Sequence, residues 1–235
     1  MSRGMGVFGV WVIVLLLFPT KAQAYWGTYD VGNLAGLDFQ YRMNTIVMNN
    51  AMRAGTSGAR AAATSTAHSA ALPTAARDAR RAAAELAQSY PAAHRAQTAE
   101  VFESLLGKYA QIEKRFGIAP GDFGGAVAAY VAGNMMALRQ EPFPDEHFSA
   151  LVKQMRGVIT DSPEFTRIDV RERRRAYEQM AIIGMFMAGT QMALAQKPDS
   201  VLQARTAAAA RQYLAKVIPG DIDRLVVTPA GLQMR

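Results

Sequence analysis

Cysteine is absent from all 235 residues. Disulfides, thiolate nucleophiles and thiolate-bound structural zinc are therefore excluded, and stability has to come from packing alone. Histidine is almost as scarce, with only His68, His94 and His147 to supply catalysis near neutral pH. His68 falls in a stretch of small residues and His94 lies beside Arg95 near the start of a predicted helix, which leaves His147 with Asp145 and Glu146 alongside it. Neighbouring helical positions point in different directions, so these three read as a solvated helix start. No His-x-x-x-His or Glu-x-x-His spacing occurs, so neither a metal nor any other cofactor is expected, and no catalytic residue is assigned. Also missing are a Gly-x-Ser-x-Gly elbow and a phosphate loop. Gly124, Gly125 and Gly133 sit in a helical pattern without a preceding strand, so they are expected to let helices approach closely.

Long apolar runs are lacking too. Val7 to Phe18 and Ile182 to Leu194 both fall short of the ~20 residues that a bilayer-crossing helix needs. The first run has another use. Arg3 precedes it, Pro19 breaks it, and Ala22 and Ala24 supply the small residues expected three and one positions before a signal-peptidase cut. Residues 1–24 are therefore expected to be a secretory signal peptide cleaved after Ala24, with no cysteine available for lipidation and no transmembrane segment left behind. The mature chain would keep 211 of the 235 residues, starting at Tyr25, and would work in the periplasm or outside the cell. Its formal charge falls from +7 to +5 because Arg3 and Lys21 leave with the signal. That excess favours an acidic protein surface or an anionic envelope surface as partner, and export argues against nucleic acid.

Along the mature chain, Asp38 can cap a short helix to about Met52 that carries Phe39, Met43, Ile46 and Val47, so residues 25–52 read as an N-terminal arm. Residues 53–73 are almost entirely Ala, Gly, Ser, Thr and Arg, too little apolar surface to offset chain ordering, and read as a flexible linker. Residues 74–235 read as the helical domain. An Ala/Arg-rich helix runs from Thr74 to about Tyr90, and a second runs from Pro91 to Phe116, with Phe102, Leu105, Leu106, Tyr109 and Ile112 on one face and Gly117 at its end. Asp122 caps a helix to about Gln140 that has no charge before Arg139 and should be central and buried. Pro144 starts a helix to about Ile159 with Phe148, Leu151, Val152 and Met155 inward, and Asp161 to Glu164 read as a short turn of helix. Asp169 caps the longest helix, to about Gln196, and Asp199 or Ser200 caps one more that ends before Pro219. Leu225 to Thr228 reads as a strand without a partner, an extended strap over the bundle. The fold class expected is all-α, an irregular bundle of about five or six helices.

Four blocks carry a family resemblance: Glu113-Lys114-Arg115-Phe116-Gly117-Ile118; Gly125 through Asn134; Pro144-Asp145-Glu146 with Gln154-Met155-Arg156; and Tyr177-Glu178-Gln179-Met180 through Gly184-Met185-Phe186-Met187-Ala188. Between Tyr90 and the C-terminus the chain resembles a family of exported bacterial proteins of unknown function, DUF6683. The resemblance implies export and a helical fold, and no reaction. The arm, the linker and the Ala/Arg helix contribute nothing to these blocks, and Met180 and Ile183 stand where leucine is expected.

Three constellations remain. Asn134 and Gln191 lie in uncharged settings on the two central helices, where buried amides either bridge the helices or line a small-ligand pocket. Met180, Met185, Met187 and Met192 with Phe186 read as adaptable core packing, since no regular Met-x-x-Met array occurs for copper. Arg171, Arg173, Arg174 and Arg175 place four cations at a helix end that is already positive, at a cost of about 0.3–1 kcal/mol each. Asp169 is positioned to pair with Arg173, and Glu172 and Glu178 lie nearby, so the run reads either as a solvated salt-bridged surface or, through Arg171, Arg174 and Arg175, as a basic contact patch for a partner or the envelope. The function expected is a non-catalytic protein-interaction module. The alternatives are a ligand-binding protein or enzyme with a pocket at Asn134 and Gln191, and an immunity or inhibitor protein for a secreted toxin.

Overall fold

The computed structural model describes residues 79–235 apart from 161, 163, 164 and 166. The predicted signal peptide, arm and linker lie outside the described residues, as do residues 74–78 and most of the short turn expected at Asp161 to Glu164. Six α-helices are described: α1 (Ala79–Ala87), α2 (Arg95–Arg115), α3 (Phe123–Arg139), α4 (Asp145–Thr160), α5 (Val170–Gln196) and α6 (Ser200–Ala215). They form an all-α bundle, closed at the C-terminus by a hairpin of β1 (Leu225–Thr228) and β2 (Gly231–Met234).

The helix starts follow the acids read as caps. Asp122 accepts from the Gly125 amide, Asp169 from Arg171 and Asp199 from both Val201 and Leu202, each filling donors left open by the first turn. Between α1 and α2 the chain turns at Tyr90 and passes through one 3-10 turn, Ala92–His94, so α2 begins four residues after Pro91. The end of α2 is a Schellman motif: Gly117 adopts φ 61°, its amide donates to Lys114, and the Ile118 amide donates to the Glu113 carbonyl.

Apolar stripes decide what packs where. From Phe123 to Ala137, α3 is buried on every side. It lies against α5, whose own middle from Ala176 to Met192 is buried throughout. The two meet backbone to backbone: a Cβ on Gly133 would stand 2.0 Å from the Gly184 carbonyl oxygen, and one on Gly184 would stand 2.4 Å from that of Ala129. On another side of α5, α2 runs antiparallel, with Phe102 edge-on to Phe186 at 5.7 Å and Tyr109 edge-on to Tyr177 at 5.9 Å. Helix α4 covers α3 at Gly124, and α6 covers it at Tyr130, whose phenol donates to the Tyr213 carbonyl at 3.0 Å.

The C-terminal segment differs from the lone strap expected. Leu225 to Thr228 does have a partner, Gly231–Met234, paired antiparallel through a tight turn with Gly231 at φ 105°. The second strand, Gly-Leu-Gln-Met, contains no β-branched residue, and its pairing depends on the turn and on side chains from the helices. Gln154 of α4 supplies them: its amide nitrogen donates to the Leu232 carbonyl at 2.8 Å and its oxygen accepts from the Leu232 amide at 2.7 Å. One side chain thus acts as a one-residue third strand. On the other edge Arg139 donates to the carbonyls of Asp223 and Leu225.

Candidate functional site

The arginine run opens α5, and the structure separates its members. Asp169 uses its carboxylate to cap the Arg171 amide at 2.8 Å, and the expected Asp169–Arg173 side-chain pair is replaced by another contact. Arg173 lies across the Phe165 ring, 5.3 Å from its centroid, because the chain before α5 folds that aromatic beneath the first turn. Arg171, Arg174 and Arg175 are spaced three and four apart and share one side of the helix. Arg171 and Arg175 are exposed and Arg174 is half-buried.

Helix α1 extends this face. Glu85 accepts from Arg175 Nε through Oε2 at 2.5 Å and from Arg81 Nε through Oε1 at 3.2 Å, while Gln179 reaches Oε2 at 3.4 Å. One carboxylate therefore gathers two guanidinium groups from two helices and leaves their sum positive. Both cations remain open to water, with side-chain exposures of 70% for Arg81 and 53% for Arg175. Arg80 is 88% exposed beside Glu103. The sequence singled out only the α5 arginines. Arg80 and Arg81 were concealed in an alanine-rich stretch, and only the α1–α5 packing brings Arg81 alongside.

A second polar group is buried and was not singled out at all. Glu113, 1% exposed, accepts from the Tyr177 phenol at 2.5 Å and from the Gly121 amide at 3.2 Å. Next to it Asp122, 4% exposed, accepts from Arg156 Nε at 2.6 Å while capping α3. These contacts join α2, the start of α3, α4 and α5 at one end of the bundle, and they draw on all four resembling blocks, through Glu113, Gly125, Arg156 and Tyr177. The available signal was an acid on the otherwise apolar side of α2, at i+4 from Tyr109 and one residue after Ile112.

Asn134 and Gln191 are both buried. Asn134 donates through Nδ2 to the Tyr130 carbonyl of its own helix at 2.8 Å, and its Oδ1 has no partner. Gln191 stands seven residues beyond Gly184, two turns or about 10 Å along α5, while Asn134 immediately follows the Gly133 contact. The hydrogen bond that Asn134 makes stays within α3 and does not bridge to α5.

Burial moves two cations and a phenol. It lowers the ammonium groups of Lys108 and Lys216 and raises the Tyr130 phenol, in each case because the charged form loses water. Among the described residues no group of three or more His, Asp or Glu is placed to hold a metal ion, and no helix is long and apolar enough to cross a membrane.

Neither the curated proteins nor the solved structures yield a match to the chain. A family model does match, over residues 20–235, so the likeness reaches back well before the first of the four blocks. Its description is a family of unknown function, DUF6683, and the chain belongs to that family.

Proposed function

We propose that the chain is a non-catalytic interaction module, exported through the signal at residues 1–24 to the bacterial periplasm or beyond, and that it meets a partner protein through the arginine face of α5. The observation that carries this reading is the contrast between the buried and exposed polar groups. The buried carboxylates of Glu113 and Asp122 are held by hydrogen bonds within the fold, whereas the guanidinium groups of Arg171 and Arg175 stand at the surface. Arginine is the cation most enriched at protein interfaces, and neither α1 nor α5 contains a lysine.

A pocket for a small ligand, catalytic or not, is the second reading, favoured by the unpartnered Asn134 Oδ1. Against it stands the backbone contact at Gly133 and Gly184, which leaves no room between α3 and α5 at that level. An immunity or inhibitor role would be a special case of the interaction module, with a secreted toxin as partner.

Photo-crosslinking in the producing cell tests the proposal. A photoreactive residue at position 171 should give a discrete adduct that one at the exposed α6 position 205 does not, and Arg175→Ala should weaken it. Equal, diffuse labelling at both positions, with the protein folded and secreted, would refute the reading.

A further inference from the structure

Glu85 shows what chemistry the arginine face accepts. Its two carboxylate oxygens engage the Nε groups of Arg81 and Arg175, and in a guanidinium bonded at Nε the edge formed by the two terminal nitrogens is a second, separate donor pair. One turn earlier on the same side, Arg171 is exposed, and Val170 beside it is one of three exposed large apolar side chains among the described residues, at 39%. A planar guanidinium edge binds a carboxylate through two parallel hydrogen bonds, and a small apolar contact beside it fixes register.

We propose that this face docks an acidic segment of the partner protein, with carboxylates on Arg171 and Arg175 and an aliphatic contact at Val170; the inference rests on the interaction reading above. Three observations favour an acidic protein segment over an anionic lipid surface. Glu85, Glu172 and Asp169 are interleaved with the arginines, so spaced carboxylates fit where a continuous anionic sheet meets repulsion. Among the described residues the face also shows no exposed Trp, Phe or Leu of the kind that a surface-bound helix inserts among headgroups, Val170 being the one exposed aliphatic there. The chain's own N-terminal segment is a poor occupant, since residues 25–78 carry three acids, Asp30, Asp38 and Asp78, against four arginines, Arg42, Arg53, Arg60 and Arg77.

The test uses the mature chain from Tyr25 and three probes: a labelled Glu-rich peptide containing spaced leucines, a Lys-rich peptide of the same length, and vesicles of phosphatidylglycerol and phosphatidylcholine. Binding is followed by anisotropy and sedimentation at low and at physiological salt. The expected result is binding of the acidic peptide alone, weakened about tenfold by Arg171→Glu/Arg175→Glu and by a smaller factor in Arg171→Glu, which leaves the Arg175–Glu85 pair in place. Circular dichroism of both variants separates lost binding from lost fold. Vesicle binding stronger than peptide binding, or peptide binding indifferent to both variants, would overturn the inference. If the acidic peptide fails while the position 171 adduct persists, the partner chemistry is wrong and the interaction reading stands; if both fail, both are wrong.

Discussion

At the scale of single residues, Glu113 and Asn134 make opposite predictions although both are buried polar groups. Glu113 holds the Tyr177 phenol and the Gly121 amide, so Tyr177→Phe removes a partner of a buried carboxyl group while keeping the ring against Tyr109. The expected cost is about 1.5–3 kcal/mol in urea unfolding, and a change under about 0.5 kcal/mol would mean that the contact contributes nothing. Asn134 has one oxygen without a partner, and the Tyr130 carbonyl it donates to lies four residues back, where it also accepts the helical amide bond. Asn134→Leu should therefore leave stability within about 1 kcal/mol of wild type or raise it. A large loss would instead favour a water or small ligand seated on Oδ1. The sequence could place Asn134 in the interior because its neighbours are apolar all round. It could not show that Glu113 is buried, since that depends on a tyrosine 64 residues away.

At the scale of elements, the glycines divide into those that fix a helix crossing and those that do not. Gly184→Ala would force a methyl to 2.4 Å from a backbone carbonyl of α3 and should cost about 1–3 kcal/mol or more, whereas Gly107→Ala at an exposed position of α2, with nothing within 4 Å of the new carbon, should stabilise by up to about 1 kcal/mol. Thermal melts of the two variants should shift in opposite directions. The hairpin offers a pH test. Arg211 holds the Asp223 carboxyl below its ordinary value of 3.8, with the side chains 2.5 Å apart. A depressed folded pKa adds stability above the unfolded value and loses it as pH falls through the folded one. The difference between wild type and Arg211→Ala should therefore shrink on acidification from about pH 5 to about pH 2, as melting temperatures would show. Helix starts were legible because Asp122, Asp169 and Asp199 are capping residues placed just before stretches free of Pro and rich in helix formers, and the hydrogen bonds to their carboxylates are local. The hairpin was only half legible. Its second strand lacks strand-forming residues and is held by Gln154 from a helix 78 residues away, a relation that no local pattern carries.

At the scale of the whole molecule, burial is nearly complete along α3 and along α5 from Ala176 to Met192, and the remaining helices, with the hairpin, wrap that pair. Glu113 and Asp122 are held inside by hydrogen bonds, and on the outside the α1–α5 face gathers arginines that are distant in sequence. Half of that face was readable from the Arg171 to Arg175 run; the α1 half was not, because alanine-rich Ala79 to Ala87 gives no sign of which helix it packs on. If export follows the signal as proposed, Edman sequencing of the released protein should begin at Tyr25, and intact Met1 on that material would contradict it. The central claim is that the buried polar groups hold the fold while the exposed arginines do the binding. The direct test compares Tyr177→Phe with Arg171→Glu in paired measurements of unfolding free energy and partner binding. The account predicts that the first lowers stability and leaves binding intact and the second does the reverse; a variant pair in which both properties fall together would contradict it.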